Sequence, residues 1–287
     1  MQINWREPDL NAEKIDSKVC KGDDLILYYF TANWCGACAK FERRCWTSPE
    51  IVSLINQKFV PVKLIDKSQE ERVSSPAVQS LESKYAVAVF PTLVVAMPND
   101  EEDESGLERS PGVMDRAKTL QFLQTAVHRI AYRHAQRLLI KGNFAEAADL
   151  FGSYLKSFQK DDEWLPRAVL FRYISLRLAG KTLAAKSFVT DYLPKLTKEW
   201  PYPLLRYAKG EINYEALVKD AGDWERQRFE MHAWVGILNL ADGNMTEGKR
   251  QLEKALKMKE YTSWYSYKLA HFLTEKIAKS TSNESPQ

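Results

Sequence analysis

The chain holds four cysteines among its 287 residues, Cys20, Cys35, Cys38 and Cys45, all within the first 45 positions. So few thiols exclude a disulfide-stapled scaffold and confine any sulfur chemistry to the N-terminal part. No stretch approaches the ~18 consecutive apolar residues a membrane span needs, and Met1 to Asp9 has no secretory-leader core. The chain as given is expected in the cytoplasm; a leader removed ahead of it would make the protein periplasmic or exported. Dense Lys/Arg blocks are absent, so no nucleic-acid footprint is expected. Histidines number four, and neither His128 nor His134 has a histidine–carboxylate spacing that makes a metal site.

What is present suits a two-domain globular protein: 45% hydrophobic and 28% charged residues. The formal charge of +3 hides an asymmetry. Residues 1–125 carry 15 Lys/Arg against 19 Asp/Glu, and the remainder 26 against 19. A basic C-terminal part could favour an acidic partner, but without a dense block an ordinary solvated surface is the better reading.

The first part alternates as a small α/β domain does. A helix is expected over Leu10 to Cys20, then a turn at Lys21 to Asp24, then a buried strand from Leu25 to Phe30. A helix from Ala39 to about Cys45 follows. Ser48 reads as N-cap and Pro49 as first residue of another helix, running to about Gln57. Phe59–Ile65 reads as strand, Ala77–Lys84 as helix and Thr92–Ala96 as strand. Asn99 to Glu104 reads as an acidic, exposed loop. A short strand near Leu107–Arg109 and a helix from about Met114 complete this part.

From about His128 only helical patterns remain. Glycine recurs between apolar-periodic segments at Gly142, Gly180, Gly210 and Gly243, at intervals of 38, 30 and 33 residues. Each can end a helix in a left-handed conformation before a second helix packs back. A recurrence near 34 residues is what stacked helix pairs require. Tyr261 to Ile277 reads as a terminal helix, and residues 280–287 as a disordered tail. The aromatics Trp164, Phe171, Tyr173, Trp224, Phe229, Trp234, Trp264, Tyr265 and Tyr267 read mostly as interhelical core. A minority could line a concave surface with Arg172, Arg206 or Arg228.

The chemistry concentrates in Trp34-Cys35-Gly36-Ala37-Cys38, placed where a strand ends and a helix begins. There a thiol meets unpaired backbone N–H groups and gains thiolate character. Cys35, at the helix start, is placed to attack; Cys38, one turn further in, to resolve the mixed disulfide. Gly36 and Ala37 permit a tight turn, and Trp34 reads as an anchor over the pair. A structural disulfide, a metal site and an inactive relic remain as alternatives, including a four-thiolate zinc site by count alone. Cys20 and Cys45 read as packing thiols, with a shuttle to the active pair as the alternative for Cys45.

The segment Tyr29 to Lys40, with Phe41-Glu42, Ser48-Pro49-Glu50-Ile51 and Phe90-Pro91-Thr92, resembles the thioredoxin fold. It is most similar to the C-terminal domain of transmembrane thiol–disulfide interchange reductases. The similarity covers about residues 5–125; the helical part resembles tetratricopeptide repeats more loosely. The implied architecture is an α/β thioredoxin fold (1–125) followed by an all-α tetratricopeptide-like repeat domain (126–279). The resemblance implies that Cys35 is the nucleophile, Cys38 the resolving thiol, and Pro91 a cis residue at the substrate face with Phe90 and Thr92. One position departs from the family: six residues before Cys35, where thioredoxins carry a buried acid, stands Tyr29. The Gly-Ala pair between the cysteines also differs from the Gly-Pro of reducing thioredoxins.

The expected function is a thiol–disulfide oxidoreductase acting on protein substrates, with the helical repeats recruiting partners. The alternative is a redox-sensitive interaction scaffold with little turnover. No cofactor, metal, nucleic acid or membrane span in this chain is expected, and the upstream redox partner is unknown.

Overall fold

The computed structural model describes residues 2–6, 25–71, 74–97, 107–156 and 164–283. The helix expected over Leu10–Cys20, the turn after it, Cys20 itself and the acidic loop at 99–104 lie outside the described residues. The chain forms two compact units, Met1–Arg133 and His134–Gln287.

The first unit is built on four strands: β1 (Leu25–Ala32), β2 (Phe59–Asp66), β3 (Thr92–Ala96) and β4 (Leu107–Pro111). Their order in the sheet is β2-β1-β3-β4, with β1 parallel to β2, and β3 antiparallel to both β1 and β4. The unbroken apolar character of β1 has a physical cause: both faces of the sheet are covered. Leu27 and Tyr29 of β1, with Leu93 and Val95 of β3, pack against α1 (Gly36–Cys45), α2 (Pro49–Lys58) and the start of α5 (Arg116–Ile140). On the other face Ile26, Tyr28 and Phe30 pack with Val60, Val62 and Leu64 of β2 and with Val78 and Leu81 of α4 (Pro76–Lys84). Pro111 ends an edge strand, where a missing N–H costs no ladder bond.

Pro49 opens α2 as expected, but Ser48 makes no side-chain cap bond. Its side chain is buried rather than turned to the helix start. Capping by a side chain does occur at Ser75, whose hydroxyl accepts the Val78 N–H at the start of α4. A short helix, α3 (Ser68–Glu71), lies where none was expected.

The second unit is helical throughout the described residues. It contains the end of α5, then α6 (Phe144–Lys156), α7 (Leu165–Leu178), α8 (Thr182–Tyr192), α9 (Tyr202–Lys209), α10 (Tyr214–Ala221), α11 (Glu225–Ala241), α12 (Met245–Leu256) and α13 (Tyr265–Asn283). Gly142, Gly180, Gly210 and Gly243 all adopt positive φ, between 73° and 86°. Each carries the same pair of bonds. The glycine N–H reaches back three residues, and the following N–H reaches back five, as Gly142 to Leu139 and Asn143 to Leu138. That is a Schellman cap, repeated four times. The last helix starts at Tyr265 rather than Tyr261 and runs to Asn283, beyond the point where a disordered tail was expected to begin.

Most of the aromatic residues form core. Trp234 packs edge-on against Phe171 at 5.2 Å, and Phe229 stacks on Tyr261 at 4.5 Å. Trp164 and Trp224 do not: both are exposed, because each lies in the turn ahead of its helix rather than on a buried face. Buried Glu230 holds two partners, the Arg167 guanidinium at 2.6 Å and the Trp200 indole N–H at 2.5 Å.

Candidate functional site: a disulfide at a helix start

β1 ends at Ala32, and the chain turns through Asn33 and Trp34 into α1. Cys35 occupies the N-cap of α1 in extended conformation. Its backbone N–H donates to the Ala32 carbonyl, and the Cys38 N–H donates to Cys35 Sγ at 3.1 Å. The sulfur thus stands where the oxygen of an N-cap serine would stand. A thiolate there gains from that N–H and from the positive end of the helix. Cys35 and Cys38 are joined in a disulfide, their Cα atoms 5.2 Å apart.

Both cysteines are largely covered, Cys35 at 7% exposure and Cys38 at 2%. They pack with Ala32 and Phe90 in a small apolar cluster. Gly36 and Ala37 are exposed, and a Cβ added at Gly36 would meet nothing within 4 Å. No crowding demands a glycine at that position; the open space leaves one side of the motif clear.

Trp34 is 43% exposed and meets the Phe90 ring edge-on at 5.9 Å. The Phe90–Pro91 peptide is cis. The Thr92 hydroxyl donates to the Val89 carbonyl at 2.7 Å, and the Pro91 carbonyl accepts the Gly112 N–H at 2.7 Å. This second bond draws the Gly112–Val113 segment alongside Pro91. Val89, next to Phe90, and Val113, next to Gly112, are exposed apolar side chains.

Tyr29 is fully buried among Trp5, Phe41 and Trp46, with ring centroids 5.3–5.9 Å away. Its hydroxyl donates to Glu42 Oε1 at 3.2 Å, and Lys63 Nζ donates to the same oxygen at 2.9 Å. Burial, reinforced by the Glu42 charge, pushes the Tyr29 phenol far above the ordinary tyrosine value. Tyr29 is a neutral hydrogen-bond donor here, not a base. The carboxylate it addresses is Glu42, one helical turn beyond Cys38 on α1.

Lys63 and Asp66 are not among the residues the sequence pattern singles out. A lysine inside the apolar run FVPVKLID is the available signal for the first. Asp66 ends β2 beside Ala32 and is buried. Burial alone would raise its carboxyl. Bonds from the Ser74 hydroxyl and from the Ser68 N–H and hydroxyl outweigh that and hold it below the usual range.

Cys45 is a free, buried thiol in the Tyr29–Phe41 core, within 3.5 Å of the Thr119 hydroxyl. Burial pushes it up, which suits packing rather than reactivity. Among the described residues no three His, Cys, Asp or Glu side chains are grouped to hold a metal, and no helix is long and apolar enough to cross a membrane.

A family model described as thioredoxin-like domain matches residues 13–126. Solved structures similar to the chain include a thioredoxin from Thermus thermophilus, 23% identical, covering 44% of this chain and 87% of that one, with a TM-score of 0.33. A DsbH oxidoreductase is 20% identical over 37% of this chain and 73% of its own, with a TM-score of 0.29. Chloroplastic thioredoxin z is 16% identical over 44% and 95%, also at 0.29. No curated protein matches the chain.

Proposed function

We propose that this chain, thioredoxin-like in its first unit and all-helical in its second, is a thiol–disulfide oxidoreductase for protein substrates. The observation that carries the proposal is the Cys35–Cys38 disulfide at the start of α1, with Cys35 Sγ accepting the Cys38 N–H. A stapling disulfide needs no N-cap position; an exchanging one gains a better thiolate from it.

In the reduced chain the Cys35 thiolate attacks one sulfur of a substrate disulfide. An S–S bond forms to Cys35 as the substrate S–S bond breaks, and one substrate thiolate leaves. Cys38 gives up its proton and attacks Cys35 Sγ, closing the internal disulfide and releasing the second substrate thiolate. Two electrons pass from the chain to the substrate; the reverse sequence oxidises a substrate dithiol. Tyr29 cannot take the Cys38 proton, because its phenol is held neutral. We assign that proton to Glu42, the carboxylate four residues along the same helix, which Tyr29 and Lys63 hold.

Trp34, Phe90, Pro91 and Thr92 form the substrate face in this reading. Among the described residues the Phe90 N–H and carbonyl have no backbone hydrogen-bond partner, which leaves them for an extended substrate strand. Gly36 and Ala37 keep the approach to Cys35 open. The second unit recruits partners as a degenerate tetratricopeptide-like array, a reading supported by its four repeated glycine caps.

The second reading is a redox-sensitive scaffold with little turnover, favoured by the phenol at position 29. Insulin reduction by the Cys35→Ser chain separates the two. The oxidoreductase reading predicts loss of turnover, and unchanged turnover would sink it.

A further inference from the structure

The helical unit contains a cavity of about 320 Å³ between the segment leading into α9 and helices α9, α10 and α11. Its walls are Trp200, Tyr202 and Pro203, and its charged groups are Lys198, Arg206 and Asp220, with the Gln227 amide beside them. We propose that this cavity is a subsite for an acidic peptide segment, whose carboxylate side chain is held by Lys198 and Arg206. The proposal deepens the recruitment reading above and rests on it.

The volume lies within the ~300–1,000 Å³ of small ligand sites, and three of the polar side chains are unspent. Within the described residues no hydrogen bond or ion pair engages the Lys198, Asp220 or Gln227 side chains. Arg206 reaches Glu211 only at 3.5 Å, and that carboxylate already takes Lys209 at 2.7 Å. One wall is fixed in advance. The Trp200 indole donates to Glu230, which Arg167 holds in turn. A wall held this way costs little to order on binding.

The pattern of charge selects the ligand. Two cations fit one carboxylate, in charge-assisted hydrogen bonds. Asp220 in the same cavity opposes a multiply charged phosphate, yet can accept a peptide N–H. Gln227 can accept an N–H and donate to a carbonyl. Trp200 and Pro203 suit the methylenes of a glutamate side chain. A peptide with one acidic residue meets every group. The excess of Lys/Arg over Asp/Glu, 26 to 19 beyond residue 125, steers such a segment toward this unit.

The full chain is titrated with acetyl-Ala-Ala-Glu-Ala-Ala-amide, with its glutamine counterpart, and with inorganic phosphate. The readout is the NMR shift of the Trp200 indole N–H and the Arg206 Nε–H. Saturable shifts with the glutamate peptide are expected, with the glutamine peptide and the Lys198→Ala or Arg206→Ala chains each weaker by about tenfold. Equal binding of both peptides, no shift at either residue, or phosphate binding as tightly as the peptide would each overturn the proposal. Melting curves of the two variants confirm folding, and the comparison of the two peptides uses the unaltered chain, so it stands whatever the variants do. Insulin turnover by that chain is scored separately. Its absence alongside intact peptide binding would refute the exchange reading and leave this subsite standing.

Discussion

Replacing Tyr29 by Phe keeps the ring among Trp5, Phe41 and Trp46 and removes one hydroxyl. At neutral pH the loss is the bond to Glu42. A hydrogen bond to a charged group contributes about 1.5–3 kcal/mol, and the lower end applies because the Glu42 side chain is one-third exposed. The variant is therefore about 1.5 kcal/mol less stable at pH 8. Alkaline pH erases that difference. In the unfolded chain Tyr29 ionises near pH 10, whereas burial holds the folded phenol neutral to much higher pH. The stability tied to the neutral phenol is complete below pH 10. It is lost above that, at about 1.4 kcal/mol per pH unit, as pH climbs toward the folded value. The Phe variant has no such loss at this position. The stability difference should shrink from about 1.5 kcal/mol at pH 8 to near zero at pH 11. Urea unfolding of both chains at each pH measures it, and comparing differences cancels the other tyrosines and the lysines. A difference that stays constant with pH would refute a buried, neutral Tyr29.

Three further outcomes follow from packing and exposure. A Cβ at Gly236 would come within 2.6 Å of Leu252 Cδ2 and 3.0 Å of the Leu252 backbone N, so α11 and α12 must part. Gly236→Ala should cost about 2 kcal/mol, an overpacking loss near 3 offset by about 1 of helix propensity; a neutral urea midpoint would contradict this. Glu230→Gln removes the buried charge that Arg167 and the Trp200 indole address and should cost about 3 kcal/mol, against which a loss below about 1 would show the pair to be well solvated. Trp34→Ala, at a half-exposed site, should barely change the melting temperature yet slow insulin reduction about tenfold. Equal slowing with a small disulfide substrate would remove Trp34 from protein recognition.

What is legible in the sequence is what local pattern dictates. Thr92–Ala96 is a strand because its β-branched and apolar residues leave it no other buried form. The four glycines end helices because a left-handed residue is needed at each turn. The strand–helix junction at Cys35 is legible because an apolar run gives way there to a helical pattern. Contacts between distant segments are not. Tyr29, Glu42 and Lys63 meet through separations of 13 and 21 residues, and nothing local joins them. Ser48 has an N-cap's identity and position, but tertiary packing buries its side chain. Trp164 and Trp224 fit helical spacing yet fall just ahead of their helices and stay exposed.

The central claim is that Cys35 is an exchanging nucleophile and Cys38 its resolving partner. The most direct measurement is mass spectrometry of the Cys38→Ala chain after incubation with a peptide containing one disulfide. The account predicts a stable mixed disulfide at Cys35 that the intact chain does not retain. No adduct, or an adduct at Cys45 instead, would contradict it.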